Sequence, residues 1–237
     1  MNILLARHGQ AGTRLVYDQL STTGSRQASL LGQFLKDHGW SFDRWIAGGL
    51  NRQQQTAQLA ATGAEVDSER ILVDELWNEF DLDRVYHGIG PRLAGLNADF
   101  RTHWESVQAL VSTHGSDETA AVNRRWSPAD EMVVRAWVRQ EIEYEGESWP
   151  DFRSRIRGAL QRVLDSGAES AVIFTSATPI AICVGEALSL AESDIFQLAG
   201  AQMNSSLTEL RWRNGKLRMF SFNNVPHLSE TALRTHR

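Results

Sequence analysis

Arg7, His8 and Gly9 follow directly on the apolar run Asn2-Ile3-Leu4-Leu5-Ala6, so an imidazole and a guanidinium stand at the carboxyl end of an expected strand. Open α/β sheets hold their ligands there. A neutral imidazole nitrogen can attack phosphorus, a guanidinium grips phosphate oxygens with parallel donors, and glycine lets the backbone approach a charged group. The tripeptide alone also describes an ordinary strand-to-loop turn, so other residues must carry the assignment. Arg52 falls early in an expected helix after Gly48-Gly49-Leu50-Asn51, where amide dipoles favour an anion. It is either a second phosphate clamp or a solvated surface arginine. Glu79 stands between Trp77 and Phe80 with only Asn78 intervening, and apolar surroundings suit a carboxyl group that holds and donates a proton. Glu75, Asp81 and Asp83 compete for that role, or all four simply solvate a loop.

The elements that must position these groups follow a strand-helix alternation. Ile3-Leu4-Leu5-Ala6 is a buried strand, and Gly24 to His38 an amphipathic helix with Ala28, Leu31, Phe34 and Leu35 on one face, stopped at Gly39. Trp45-Ile46-Ala47 is a second strand, followed by a helix from about Asn51 to Gly63, and Ile71-Leu72-Val73 is a third. A helix from Trp149 to about Ser166 precedes the strand Ala171-Val172-Ile173-Phe174-Thr175. Such alternation predicts a three-layer α/β/α sandwich with a mainly parallel sheet. Asn214-Gly215, between alternating runs Leu207 to Arg213 and Lys216 to Phe222, predicts an antiparallel edge hairpin. From Pro91 to about Glu145 the pattern is helical and carries Trp104, Trp126 and Trp137, which marks a helical cap inserted at 91–145 into a single domain spanning 1–237. Those tryptophans serve packing or a lid over the site. His87, beside Gly88 and Gly90, is expected in a loop.

Charge and composition narrow the function. With 24 basic and 29 acidic residues the net charge is -5, and no basic run occurs, so nucleic acid is not an expected partner. The sole cysteine, Cys183, lies in an apolar setting and excludes an intramolecular disulfide, which suits a reducing cytoplasm. The first residues offer no signal peptide, and the longest uncharged stretch is broken by Thr175, Ser176, Thr178 and Pro179, so no membrane partner is expected. The seven histidines form no H-x-x-x-H spacing, and no metal or other cofactor is expected.

Taken together, Arg7-His8-Gly9, the segment Leu20-Ser21-Thr22-Thr23-Gly24-Ser25-Arg26-Gln27-Ala28 and Leu50-Asn51-Arg52 with Thr56-Ala57 resemble the histidine phosphatase superfamily, the phosphoglycerate-mutase-like proteins. Leu76 to Glu79, Gly146-Glu147-Ser148 and Asn223 to Leu228 extend the resemblance along nearly the whole chain. It implies His8 as the phosphorylated nucleophile, Arg7 and Arg52 as phosphate-binding residues, Glu79 as the proton donor, and Gln10 and Thr23 as weaker contributors. It implies ping-pong transfer from a small phosphomonoester, without metal.

One departure matters. The family's second histidine follows a buried strand in a segment close to Ser-His-Gly-Gly, and here the matching residues are Ser176-Ala177-Thr178-Pro179. Ala177 cannot donate to a phosphoryl oxygen, and the Thr178 hydroxyl, the backbone amides entering the following helix or an unplaced histidine such as His87 are the candidate replacements. Because Thr178 and Pro179 also depart, natural divergence explains the segment better than one engineered substitution, and Gln10-Ala11 with the stretch Tyr17-Asp18-Gln19-Leu20-Ser21 resembles a bacterial branch with small residues at this segment. The expected activity is a phosphatase of weakened turnover. A catalytically silent phosphate- or phosphoprotein-binding relative is the alternative, and a phosphomutase, which must shield its phosphorylated intermediate from water, ranks below both.

Overall fold

The computed structural model describes residues 1–117, 120–123 and 126–236. It divides into two compact units, one of Met1–Ala11, Asp18–Glu79 and Arg155–Arg237, the other of Gly12–Tyr17 and Phe80–Ser154. The insertion expected at 91–145 falls within the second unit, although residues 118, 119, 124 and 125 lie outside the described residues.

The first unit holds a six-stranded sheet in the order β3-β2-β4-β1-β5-β6, formed by β1 (Asn2–Arg7), β2 (Arg44–Ala47), β3 (Ile71–Val73), β4 (Ser170–Thr175), β5 (Leu207–Arg213) and β6 (Lys216–Asn224). β1, β2, β3 and β4 run parallel, while β5 pairs antiparallel with both β1 and β6. The period of two along the central strands decides which residues meet which helices. Leu4 and Ala6, Trp45 and Ala47, and Val172 and Phe174 share a buried cluster with Leu31 and Leu35 of α1 (Thr22–Asp37) and with Ala57, Ala60 and Ala61 of α2 (Asn51–Gly63). Ile3, Leu5, Ile46 and Ile173 alternate with them onto the opposite face and are equally enclosed. α7 (Ala177–Leu188) packs against β1, β5 and β6, and α8 (Glu192–Ala201) against α7. The expected mainly parallel α/β sheet with an antiparallel edge is therefore the observed one.

Local sequence sets the first helix. Ser21 caps α1 by accepting the Gly24 amide at 3.1 Å, and Gly39, at a φ of +66°, turns the chain away after it. Cys183 is fully enclosed in α7.

The second unit contains α3 (Leu82–Leu96), α4 (Ala98–His114), α5 (Pro128–Val138) and the start of α6 (Trp149–Leu164), whose later turns belong to the first unit. Helix begins at Leu82, earlier than the sequence pattern suggests, and Pro91 lies inside α3. His87 is accordingly an exposed helical residue, its Nδ1 2.9 Å from the Asp83 carbonyl, and not a loop histidine. Gly88, Gly90 and Pro91 read as breakers. Burial of Val85, Ile89 and Leu93 along one helical stripe outweighs that local preference, and Gly88 is small because the Tyr144 ring lies over it. Asp81 caps α3 through the Arg84 amide at 2.9 Å. Trp137 stacks on Phe80 at 4.7 Å and meets Trp149 edge-on at 5.6 Å, while Trp104 stacks on Phe100 at 5.9 Å. At least these two tryptophans have the packing role.

Ser127 and Asp130 cap α5 reciprocally, and Asp130 also takes both terminal nitrogens of Arg14, at 3.1 and 2.5 Å. The Asp130 side chain is 1% exposed, so this bidentate pair offsets a carboxylate's removal from water.

Candidate active site

β1 and β4 are neighbours in register, Arg7 opposite Thr175, so His8 and Ser176 leave the sheet side by side at the carboxyl ends of their strands. β2 pairs with β4 as far as Ala47 and Phe174, which brings the start of α2 to the same edge. The parallel topology thus gathers three segments far apart in sequence.

The chain beyond His8 is held by close backbone packing. A Cβ on Gly9 would strike the Gly24 carbonyl, and one on Gly24 would strike that of Gln10, so both must be glycine for loop and helix start to touch. The Gly9 amide donates to Thr56 Oγ1 at 3.1 Å, and the Gln10 amide to Gln27 Oε1 at 2.7 Å. On the other side, the amide of Ser205 donates to the His8 carbonyl at 3.0 Å. Ser205, at a φ of +59°, is fully buried and its hydroxyl meets His227 Nε2 at 2.9 Å.

His8 is 2% exposed, and its Nδ1 lies 2.7 Å from the Gly9 carbonyl. A carbonyl only accepts, so Nδ1 carries the proton and Nε2 presents its lone pair. Arg52 Nε donates to that Nε2 at 3.3 Å. Burial, then the charges of Arg52 and Arg7, hold the imidazole well below its ordinary pKa of 6.5, against a smaller opposing effect of the Gly9 carbonyl. The ring is neutral at neutral pH, which is the form that can attack phosphorus.

Arg7 and Arg52 are both 5% exposed. Arg7 Nη1 donates to the Gln202 carbonyl, and the Gln202 side chain donates from Nε2 to the Ala177 carbonyl at 2.8 Å. Arg52 Nη1 reaches Asp18 Oδ1 at 2.9 Å. Among the described residues, no group of three or more His, Cys, Asp or Glu is placed to hold a metal ion.

Glu79 is half-buried, and its Oε2 accepts the Thr178 amide in the first turn of α7 at 3.1 Å. The segment leading to it is pinned through backbone carbonyls: Trp77 accepts from Thr175 Oγ1 at 2.5 Å and from Gln53 Nε2 at 3.2 Å, and Arg155 donates to Leu76 and Asn78 at 2.8 and 3.0 Å. Gln53 Nε2 also donates to Ser176 Oγ at 2.8 Å, tying α2 to the start of α7. Ala177 is the first residue of α7 and 9% exposed.

The structure therefore joins His8 to Arg52 and Glu79 to the Thr178 backbone. Arg7 lies beside His8 in sequence and contributes to its electrostatics. Gln10 is turned to Ser21, whose hydroxyl donates to its Oε1 at 2.9 Å, and Thr23 is a partly exposed residue of the first turn of α1. Gln53, Gln202 and Asp18 are structural partners of the site that sequence reasoning missed, while Thr56 entered it only as part of the motif after Arg52. Asp18 alone carried a usable signal, an acid close before the Leu20-Ser21 segment.

This is a buried, neutral histidine flanked by two arginines at the carboxyl edge of a parallel sheet, where α/β proteins hold their ligands. The sequence pattern of the histidine phosphatase superfamily (branch 1) matches residues 3–142 and 128–225, and the chain belongs to that superfamily. The fold is similar to that of a putative α-ribazole-5′-P phosphatase from Escherichia coli, with a TM-score of 0.63 and 16% identity over 94% of this chain and 96% of that one. It is also similar to a mycobacterial glucosyl-3-phosphoglycerate phosphatase solved with inorganic phosphate (TM-score 0.56, 19% identity, 96% and 99% covered). A phosphoglycerate mutase from Bacillus anthracis is a further match (TM-score 0.59, 16% identity, 97% and 95% covered). No curated protein sequence matches the chain. Among the described residues no helix is long and apolar enough to cross a membrane.

Proposed function

We propose that the chain is a phosphatase that hydrolyses a small phosphomonoester through a phosphohistidine at His8. The observation that carries the reading is the protonation pattern of that ring: Nδ1–H engaged by Gly9 and Nε2 left as a lone pair between cationic neighbours. In the first step Nε2 forms a bond to phosphorus while the bond from phosphorus to the alcohol oxygen breaks. Glu79, as the carboxylic acid, delivers its proton to that oxygen. Water then attacks the phosphoryl group, Glu79 takes a proton from it, and the bond from phosphorus to Nε2 breaks to release phosphate. Arg7 and Arg52 hold the phosphoryl oxygens, with Gln10, Thr23 and Thr178 as secondary contributors.

Ala177 favours a lower rate, because a site lacking one preorganised donor loses about 100- to 1,000-fold. Enzymatic phosphomonoester hydrolysis exceeds the uncatalysed rate by up to ~10²¹-fold, so turnover survives such a loss. The same residue supports the second reading, a relative that binds phosphate or a phosphoprotein without turning it over. A cytoplasmic location belongs with the proposal, supported by a single enclosed cysteine that calls for no oxidising compartment.

The test is hydrolysis of an aryl phosphate by the wild type and by His8→Ala, together with intact-mass detection of an acid-labile phosphoryl group after incubation with phosphorylated metabolites. The expected result is slow hydrolysis and labelling, both lost in His8→Ala. Hydrolysis that persists in that variant refutes the mechanism, and absence of both signals in the wild type favours the silent binder.

A further inference from the structure

In the resting structure Arg52 donates to the His8 ring at 3.3 Å and to the Asp18 carboxylate at 2.9 Å. The second carboxylate oxygen of Asp18 accepts the amide of Asn51, the first residue of α2, at 3.2 Å. Asp18 therefore takes a guanidinium and a helix N-terminal amide together, the donor pair that suits a phosphoryl group with two oxygens to satisfy. We propose that Asp18 is an internal competitor for phosphate at Arg52: its carboxylate engages donors that the substrate's phosphoryl oxygens need, and binding exchanges one anion for the other. The proposal rests on the phosphate-binding role given to Arg52 above.

Burial sets which partner moves. The Arg52 side chain is 6% exposed and that of Asp18 is 42% exposed, so the carboxylate can swing out into water while the guanidinium, staying enclosed, turns only within the site. The chain just beyond is fixed, since the Leu20 amide donates to Gln55 Oε1 at 2.9 Å and Leu20 bridges to Ala11. The exchange therefore does not extend past the exposed Gln19. Exchange also has a second effect. Arg52 Nε lies on the lone pair that must attack phosphorus, and drawing the guanidinium toward phosphoryl oxygens uncovers His8 Nε2. Asp18 thus disfavours phosphate and steadies the covered nucleophile in the empty site.

Calorimetric titration of the full chain with inorganic phosphate tests this, comparing wild type, Asp18→Asn and Asp18→Ala, with thermal melts to verify folding. A half-exposed ion pair is worth little, so both variants are expected to bind phosphate only about three- to tenfold more tightly than the wild type. Equal or weaker binding in the variants overturns the proposal and makes Asp18 a support for Arg52, leaving the phosphatase reading intact. Absence of phosphate binding in all three proteins overturns the role of Arg52 as well.

Discussion

Lowering the pH from 7 to 5 should destabilise the folded chain through His227, and substitution of that residue should remove a measurable part of the effect. The imidazole is 8% exposed, faces the Phe34 ring at 6.2 Å, and hydrogen-bonds the Ser205 hydroxyl through Nε2. Burial pushes its pKa down from 6.5 to about 4. Below pH 6.5 the unfolded chain binds a proton that the folded chain resists, so this contribution is fully present above pH 6.5 and is lost as the pH falls through about 4. The fall from 6.5 to about 4 corresponds to about 3 kcal/mol in total, of which about 2 kcal/mol is lost by pH 5. His8 acts in the same direction, so the wild-type slope contains both histidines. Urea denaturation at pH 7, 6 and 5, for wild type and His227→Gln, separates them. The variant starts less stable because its amide must replace the imidazole against Ser205, but it should lose about 2 kcal/mol less between pH 7 and 5. Parallel losses in the two proteins would show that His227 takes up its proton as readily when folded as when unfolded, and the burial argument would fail.

Three further outcomes follow from the geometry. Ala177→His should raise kcat/KM for an aryl phosphate by about 100-fold if only a donor is missing; steady-state rates showing no gain would mean that the segment around Thr178 and Pro179 has been remodelled as well. Gly24→Ala drives a methyl group into the Gln10 carbonyl and should cost about 1–3 kcal/mol, seen as a lower midpoint in thermal melts. Asp130→Ala strands the guanidinium of Arg14, which is mostly enclosed, and should cost about 3 kcal/mol in denaturant titration.

The parallel sheet could be foreseen because its signals are local. Apolar runs such as Ile3 to Ala6 and Ala171 to Thr175 alternate with helices that have clear starts and stops, and Asn214-Gly215 marks the hairpin by its own turn chemistry. His8 and Arg52 were visible for a related reason, since each stands just after a strand or at a helix start. α3 was misplaced at its start because Gly88, Gly90 and Pro91 weaken helix locally, while the burial of Val85, Ile89 and Leu93 that overrides them depends on the rest of the second unit. Gln202 and Asp18 illustrate the other gap. Gln202 bonds Ala177 and accepts from Arg7 through its backbone, and Asp18 meets Arg52 across 34 positions, so neither spacing announces a contact. Pairings of that kind exist only once the strands have brought distant segments together.

Cys183 gives the chain a built-in clock. It is the sole cysteine, fully enclosed in α7, and burial followed by the charge of Glu186 raises its thiol far above the ordinary range. Thiolate is the reactive form, so the native chain offers alkylating reagents no target, and each labelling event records an excursion in which α7 has left the sheet. The same helix begins at Ala177 and Thr178, so a ligand that settles only on the assembled site will slow the clock, and occupancy can be timed without a chromogenic substrate.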